Sequence, residues 1–413
     1  MLQKMCGTCG RMISMNTRFL KVRPCADCGE VRVIHPIEKL ISYVEESFAS
    51  QASSTAPLQA KPARTMRSLE FYKLLAKARI VTIHENGEKI SDSRCLALFE
   101  GAEVAHVTLL LVTFLGKPYT FFSCKYNEPN TYIQFSVLPS ELLGNTCTID
   151  ADDKYQLSKL LCDNKIPAGA SVSVRHESEL AGCLGKLRFP LIAKPQIGTR
   201  GRHTVLHIQD SVALKNAFWI VKKISTRVVV QEELSGQVYR FTCVGGKFMG
   251  CALREYPYVT GDGASTIAEL IKRENEHPLR NSKIFRHIPF TKTHEIFLEK
   301  QGLNKNFIPK AGKRCIVGDK NSRLNGTITE DVTDLVHPTV IQEIERCAQV
   351  LRLPVVGLDA LFIDVTQPYA PGNREGIIEA NTLPYIDVHH FPFSGKKINV
   401  AAELWKYVYE RLQ

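Results

Sequence analysis

Two oxygen-bearing side chains stand two residues apart in "REGIIEANTLPY", where Glu379 and Asn381 follow an apolar Gly-Ile-Ile run. On a strand that spacing aims both at the same face of a sheet. Upstream, Asp359 opens the strand-like "GLDALFIDV", and the turn formers of "TQPYAPGN" send the chain back antiparallel. Such a hairpin can set Asp359 beside the other two. Three oxygen donors with no nitrogen or sulfur suit Mg²⁺, which keeps several waters and bridges to substrate phosphates. Taken alone, an ordinary hairpin with polar ends is the simpler reading.

A second stretch alters that balance. In "FPLIAKPQIGTRGRHT" Lys194 closes an apolar strand, and Gly198 and Gly201 bracket a turn whose amides can converge on an anion. Lys194 would hold a phosphate as a point charge. The Walker pattern is absent, since no Gly-Lys-Ser/Thr opens a helix here. With a further lysine, Lys154, ahead of it and the oxygen set behind, the combination reads as a nucleotide site.

A third constellation lies at the N-terminus, where Cys6-x2-Cys9 is followed by Cys25-x2-Cys28. Paired Cys-x2-Cys knuckles at this separation are a tetrahedral zinc pattern, the alternative being four unrelated thiols. The site would be closed and structural, and metal binding would supply most of so small a module's folding free energy. "SFASQASSTAPLQAKPART" (47–65) then reads as a linker, so the module would be tethered to the main body as a docking piece for a partner or carrier.

These residues need elements to position them. The 413 residues are enough for two or three domains, and 44% hydrophobic with 23% charged residues is ordinary globular composition. No apolar run reaches the ~18 residues of a membrane span, and the start has no apolar signal core. The expectation is a soluble cytoplasmic protein with most of its 13 cysteines reduced. The net charge of +11 raises nucleic acid as a partner, but the basic residues are scattered without a dense run or interleaved aromatics. From about residue 66 the pattern is mixed α/β. "ARIVTIHE" and "HVTLLLVTF" read as strands around the helical "SRCLALFEGA". A helix follows "DADD", antiparallel strands run through "RVVVQEELSGQVYRFTCVGGKFMGCALREYP", helices cover 264–275 and 337–352, and an amphipathic helix ends the chain.

From about 150 to 413 the chain resembles the ATP-grasp carboxylate–amine ligases, most of all the ATP-grasp domains of cyanophycin synthetase and bifunctional glutathione synthetase. The resemblance rests on "DDKYQLSKLLCDNKIPAG", "FPLIAKPQIGTRGRHT", "VVVQEELSGQVYRF", "REYPYVTGDGASTIAELIKREN", "IPKAGKR", "GLDALFIDVTQP", "IIEANTLP" and "HHFPFSGKKINVAAEL", in that order. It implies an α/β (α+β) ATP-grasp fold carrying a small N-terminal zinc-ribbon-like module. The expected divisions are a four-cysteine zinc-ribbon-like module (1–35), a short helix and linker (36–65), a small α/β domain (66–150) and the ATP-grasp domain (151–413). Lys154 and Lys194 would contact ATP phosphates, covered by the turn Gly198, Thr199, Arg200, Gly201 and Arg202. Gln231, Glu232, Glu233 and Leu234 would form the adenine connection. Asp359, Glu379 and Asn381 would hold magnesium, Arg254 would lie beside the transferred phosphoryl group, and His389 near the substrate end.

The implied reaction is amide-bond formation between a small carboxylate and an amine, amino acid or peptide, through an acyl phosphate, releasing ADP and phosphate. Several positions depart from the family pattern. Val238 and Gln231 stand where acids usually hold ribose and adenine, and Gly318 stands where an arginine is usual. Of a glycine pair only Gly326 remains, and Tyr385 replaces a glycine after Asn-x-x-Pro. The Mur-ligase-like and glutamate–cysteine ligase partner domains have no counterpart in these residues, so neither relative's product is expected. Two further readings follow: a small-molecule kinase on the same fold, and a nucleotide-binding regulator without turnover. Oligomeric state stays open, a homodimer being common in this fold.

Overall fold

A computed structural model describes residues 2–5, 12–15, 62–87, 90–128, 131–144, 147, 149–197, 204–281, 284–318 and 326–412. Near the N-terminus β1 (Leu2–Met5) and β2 (Met12–Met15) pair antiparallel. Cys6, Cys9, Cys25 and Cys28 lie outside the described residues, as does the short helical stretch expected after them.

Helix α1 (Pro62–Lys77) begins four residues inside the stretch read as linker. Proline suits that start, because a first-turn residue needs no N–H. Then come β3 (Thr82–His84), α2 (Ser93–Val104), β4 (Val107–Phe114), β5 (Lys117–Lys125) and β6 (Ile133–Phe135), the strands forming an antiparallel sheet in that order.

Helix α3 (Lys154–Asp163) opens the next unit, capped by Asp153, which accepts from Tyr155 N and Gln156 N, both at 3.0 Å. It is followed by β7 (Ser171–Val174), α4 (Leu180–Leu184), β8 (Leu191–Pro195), β9 (Val205–Ile208), α5 (Ser211–Lys222) and β10 (Val228–Glu232). These strands form a sheet in the order β7-β10-β8-β9, with α5 packed on β8 and β9.

The hairpin β11 (Gln237–Val244) and β12 (Lys247–Glu255) enters a five-stranded sheet. A small unit interrupts it, made of β13 (Tyr258–Thr260), α6 (Ile267–Asn275), α7 (Lys292–Glu299) and β14 (Arg314–Ile316) around its own apolar cluster. The "GDGAS" turn of this unit is tied by Asp262, which accepts from Ala264 N and Ser265 N, and α6 is opened by a Thr266–Glu269 capping box. The main sheet then completes with β15 (Ile328–Asp331), α8 (Pro338–Leu351), β16 (Val355–Phe362) and β17 (Gly376–Asn381), in the order β15-β12-β11-β16-β17. Its inner face, carrying Phe241, Cys251, Leu358 and Phe362, packs on α8 and α3. Helices α9 (Asp387–His390) and α10 (Val400–Arg411) finish the chain.

Helix α10 docks the small first sheet to the rest. Trp405, fully buried, donates from Nε1 to Leu98 O at 3.0 Å. Gly101 permits this approach, since a Cβ there would lie 2.5 Å from Ala401 Cβ. Among the described residues no helix is long and apolar enough to cross a membrane. The described cysteines are free thiols, most of them buried.

Candidate active site

The face of the main sheet turned away from α8 carries its polar side chains in rows set by strand register. One row runs Glu379, Asp359, Arg240, Ala252 and Asp331 across all five strands. The next runs Asn381, Gly357, Thr242 and Gly250, and a third holds Val238, Arg254 and Thr329. Period-two alternation accounts for most of this, since Tyr239, Phe241 and Cys243 take the core side between Arg240 and Thr242.

Strand β17 needs more than alternation. Ile377 and Ala380 both enter the core although they are three residues apart. The register slips between Asp359↔Glu379 and Ala360↔Ile377, leaving Ile378 as the extra residue of a bulge. That bulge lets Ile377 face the core while Glu379 and Asn381 face the site. Asn381 donates to Gly357 O at 3.3 Å, which leaves its amide oxygen as the acceptor.

Asp359 is 5% exposed and Arg240 7%. Arg240 grips Asp359 with both arms of its fork, Nε to Oδ1 at 2.6 Å and Nη2 to Oδ2 at 2.8 Å. Arg254 reaches the same two oxygens at 3.4 Å. Burial pushes the Asp359 carboxyl up, but Arg240 and then Arg254 outweigh it and hold it below the ordinary carboxylate range. Opposite, burial and then the charge of Asp359 raise Glu379, against the pull of Lys154, Arg240 and Lys194. These charges therefore act on one another in a single site. Two carboxylates and an amide oxygen fit a hard divalent cation, and the raised Glu379 is a carboxylate short of positive charge.

Lys194 ends β8 and is buried, donating from Nζ to Gln231 Oε1 at 2.6 Å. Burial, aided by Lys154 and opposed by Glu379, lowers its pKa to about 8. Lys154 is brought close by the start of α3, where its backbone N–H donates to Gln196 O at 3.0 Å and the cap Asp153 takes Gln196 Nε2 at 2.6 Å. Gln231 also donates to Gly169 O at 2.8 Å, so its side chain is committed to the lysine and the backbone. The carboxylates of Glu232 and Glu233 are taken up by neighbouring segments. Glu232 accepts from Arg188 N at 2.9 Å, and Glu233 from His207 N and Nδ1. Leu234, half-buried, leads into Ser235, whose N–H donates to Arg374 O at 2.6 Å.

The glycine turn Gly198 to Arg202 lies outside the described residues. Arg254, on β12, reaches Asp359. His389 is fully buried and shares a 2.8 Å hydrogen bond with Thr242, over Gly250, so it belongs to the wall of the site rather than to an open channel. Tyr385 is 57% exposed, with the guanidinium of Arg94 4.9 Å from its ring centroid. Beside them Ser93 donates to Asp387 at 2.5 Å, which ties the start of α2 to α9. Gly318 packs against Pro257 and His294.

Arg240, Thr242 and Arg94 escaped the reading of the sequence. A signal existed for Arg240: it is the lone charge in the apolar strand "VYRFTCV", and a charge in such a place needs a buried partner. Nothing in the sequence pairs Arg94 with Tyr385, nearly 300 residues away.

Comparison with known proteins agrees with this geometry. No protein-family model matches the chain. Cyanophycin synthetase of Geminocystis herdmanii is 30% identical over 258 residues, covering 61% of this chain and 29% of that protein. The glutathione biosynthesis bifunctional protein of Clostridium perfringens is 32% identical over 172 residues, 41% of this chain and 22% of that one. The crystal structure of a bifunctional glutathione synthetase from Pasteurella multocida matches 84% of this chain and 46% of its own, with a TM-score of 0.57 at 21% identity. The chain has the ATP-grasp fold. In this fold the row through Glu379, Asp359 and Arg240 crosses β17, β16 and β11, and Lys194 and Lys154 come from the end of β8 and the start of α3. The chain spans less than a third of the length of these curated relatives.

Proposed function

We propose that this chain is an ATP-dependent carboxylate–amine ligase that forms an amide bond through an acyl phosphate. The observation that carries the reading is the convergence of Lys154, Lys194, Arg240 and Arg254 on Asp359 and Glu379. That arrangement suits phosphoryl transfer, in which catalysis is mostly positioning and charge stabilisation. The names of the relatives, a cyanophycin synthetase and a glutathione biosynthesis bifunctional protein, favour a biosynthetic ligase over other uses of the fold.

In the proposed reaction a carboxylate oxygen of the acid attacks the γ-phosphorus of ATP, and the bond to ADP breaks. Lys154 and Lys194 hold the phosphates, the turn from Gly198 to Arg202 covers them, and Gln231 to Leu234 line the adenine. Asp359, Glu379 and Asn381 would hold Mg²⁺, which supplies charge neutralisation of the phosphate oxygens when bound. Arg254 stabilises charge on the phosphoryl group in flight. The amine nitrogen then attacks the acyl carbon, loses a proton, and phosphate leaves. His389 and Thr242 set the wall beside this second step. The substrates would be small carboxylates and amines, and the four N-terminal cysteines would form a separate structural zinc module at 1–35, joined to a small α/β domain (66–150) and the ATP-grasp domain (151–413).

The test is ADP release by the purified chain with Mg²⁺ and ATP, across pooled amino acids and small carboxylates, beside Glu379→Ala. Release that is lost in the variant, with a condensed product in the mass spectrum, supports the ligase. A phosphorylated product would replace it by a kinase. Tight ATP binding without turnover in any pool would overturn it in favour of a nucleotide-binding regulator.

A further inference from the structure

Asp359, assigned to a divalent cation, already accepts a two-armed arginine grip. Arg240 takes one oxygen through Nε at 2.6 Å and the other through Nη2 at 2.8 Å, and Arg254 lies 3.4 Å from both. Magnesium sits about 2.0–2.1 Å from its oxygen ligands. A cation on either oxygen would come within roughly 4 Å of a guanidinium nitrogen, and like charges that close in a buried site repel strongly. The guanidinium is therefore a competitor for the cation's place.

The fold makes room for this competitor. Arg240 has glycine as a diagonal neighbour on β16 and Ala252 directly across on β12. A Cβ on Gly357 would stand 3.2 Å from Arg240 Nη1 and 2.7 Å from Pro384 Cβ. With no side chain there, the Arg240 side chain has room over Gly357 beside Asp359. Glu379, directly across from Asp359, has no such bidentate arginine among the described contacts, and its charge is met by Lys154, Arg240 and Lys194 from a distance.

We propose that Arg240 is a positioning residue that occupies the cation's place on Asp359 and yields it when a divalent cation binds, so that Glu379 and Asn381 receive the cation first and Asp359 joins only after Arg240 has turned away. Arg240 then holds a buried positive charge that needs a new anion, which the phosphates arriving with the cation provide. Cation and anion binding are coupled by this exchange, each favouring the other to the same degree. The inference rests on the assignment of Asp359, Glu379 and Asn381 to a divalent cation.

The test uses the full chain and Mn²⁺ alone as probe, with free Mn²⁺ counted by electron paramagnetic resonance. Arg240→Gln is expected to bind Mn²⁺ at least tenfold more tightly than wild type. Arg240→Lys keeps the charge but loses the two-armed grip, and is expected to bind several-fold more tightly. Arg254→Gln removes an equal charge from a longer contact and is expected to change affinity less than threefold. Glu379→Gln is expected to lose at least tenfold. If both Arg240 variants bind as wild type does, or Arg254→Gln gains as much as Arg240→Gln, while Glu379→Gln still loses binding, the exchange is wrong and the cation site stands. If Glu379→Gln also binds as wild type does, the cation assignment itself falls. Circular dichroism confirms folding of each variant, and Arg240→Lys decides the matter alone should Arg240→Gln not fold.

Discussion

Lys194 and Gln231 are diagonal neighbours on adjacent strands, the ammonium donating to the amide oxygen at 2.6 Å in the interior. An amide cannot offset the cost of burying that charge as a carboxylate would, and the lysine pKa sits at about 8. A phosphate needs the protonated lysine, so nucleotide binding takes up a proton once the free lysine has lost it. ATP affinity is expected to fall as pH rises through about 8, by up to tenfold per pH unit. Gln231→Glu should move the fall to higher pH. Calorimetric titration of ATP between pH 7 and 10, in both proteins, checks this.

The same lysine carries a stability signature of opposite direction. Its folded pKa lies below the unfolded value, so between about pH 8 and 10.5 the unfolded chain holds more of that proton. Stability without nucleotide is expected to gain from this group as pH rises through that window. Urea unfolding of wild type against Lys194→Met reads the difference, which should vanish in the variant.

Asp359 and Glu379 are cross-strand partners with unequal structural duties. Removing the Asp359 carboxylate strands a buried arginine, and Asp359→Ala is expected to cost about 3–5 kcal/mol of stability. Glu379 sits in a less committed place with a raised pKa, so Glu379→Gln should unfold nearly as wild type does while losing turnover. Denaturation curves set beside ADP release separate the two roles.

Arg254 is half-buried and only 3.4 Å from Asp359, so its loss leaves the Arg240 pair in place. Arg254→Ala is expected to keep the fold and lower kcat by about 10²–10³, the scale of one electrostatic contact to a transition state. Single-turnover measurements of ADP formation would show whether the loss falls on the chemical step.

The Cys-x2-Cys pairs predict about one zinc per chain, the ratio expected of a four-thiolate site. Elemental analysis of the purified chain measures it. Cys6→Ser with Cys25→Ser should lower the ratio to near zero and leave ATP affinity within about threefold, since the nucleotide residues lie elsewhere in the chain.

Much of the site was legible because its chemistry is written in short stretches. The spacing of Glu379 and Asn381 put them on one face, and the hairpin from Asp359 brought the third oxygen alongside. The bulge at Ile378 was not legible, since a slip of one residue is decided by which side chains the core accepts and not by local preference. Arg240 went unread for a related reason: only the register between β11 and β16 shows that its partner is Asp359. The contacts of Ser93 with Asp387 and of Arg94 with Tyr385 depend on a helix about 290 residues away in the chain, beyond any local pattern.

Gly318 is held to glycine by the side chains around it. A Cβ there would stand 2.9 Å from Pro257 Cγ and 3.2 Å from the ring of His294, so neighbouring side chains have filled the volume. An arginine introduced there alone would meet a closed wall. Anyone enlarging this position must make space at Pro257 and His294 as well, so a redesign there is a change of three positions and not of one.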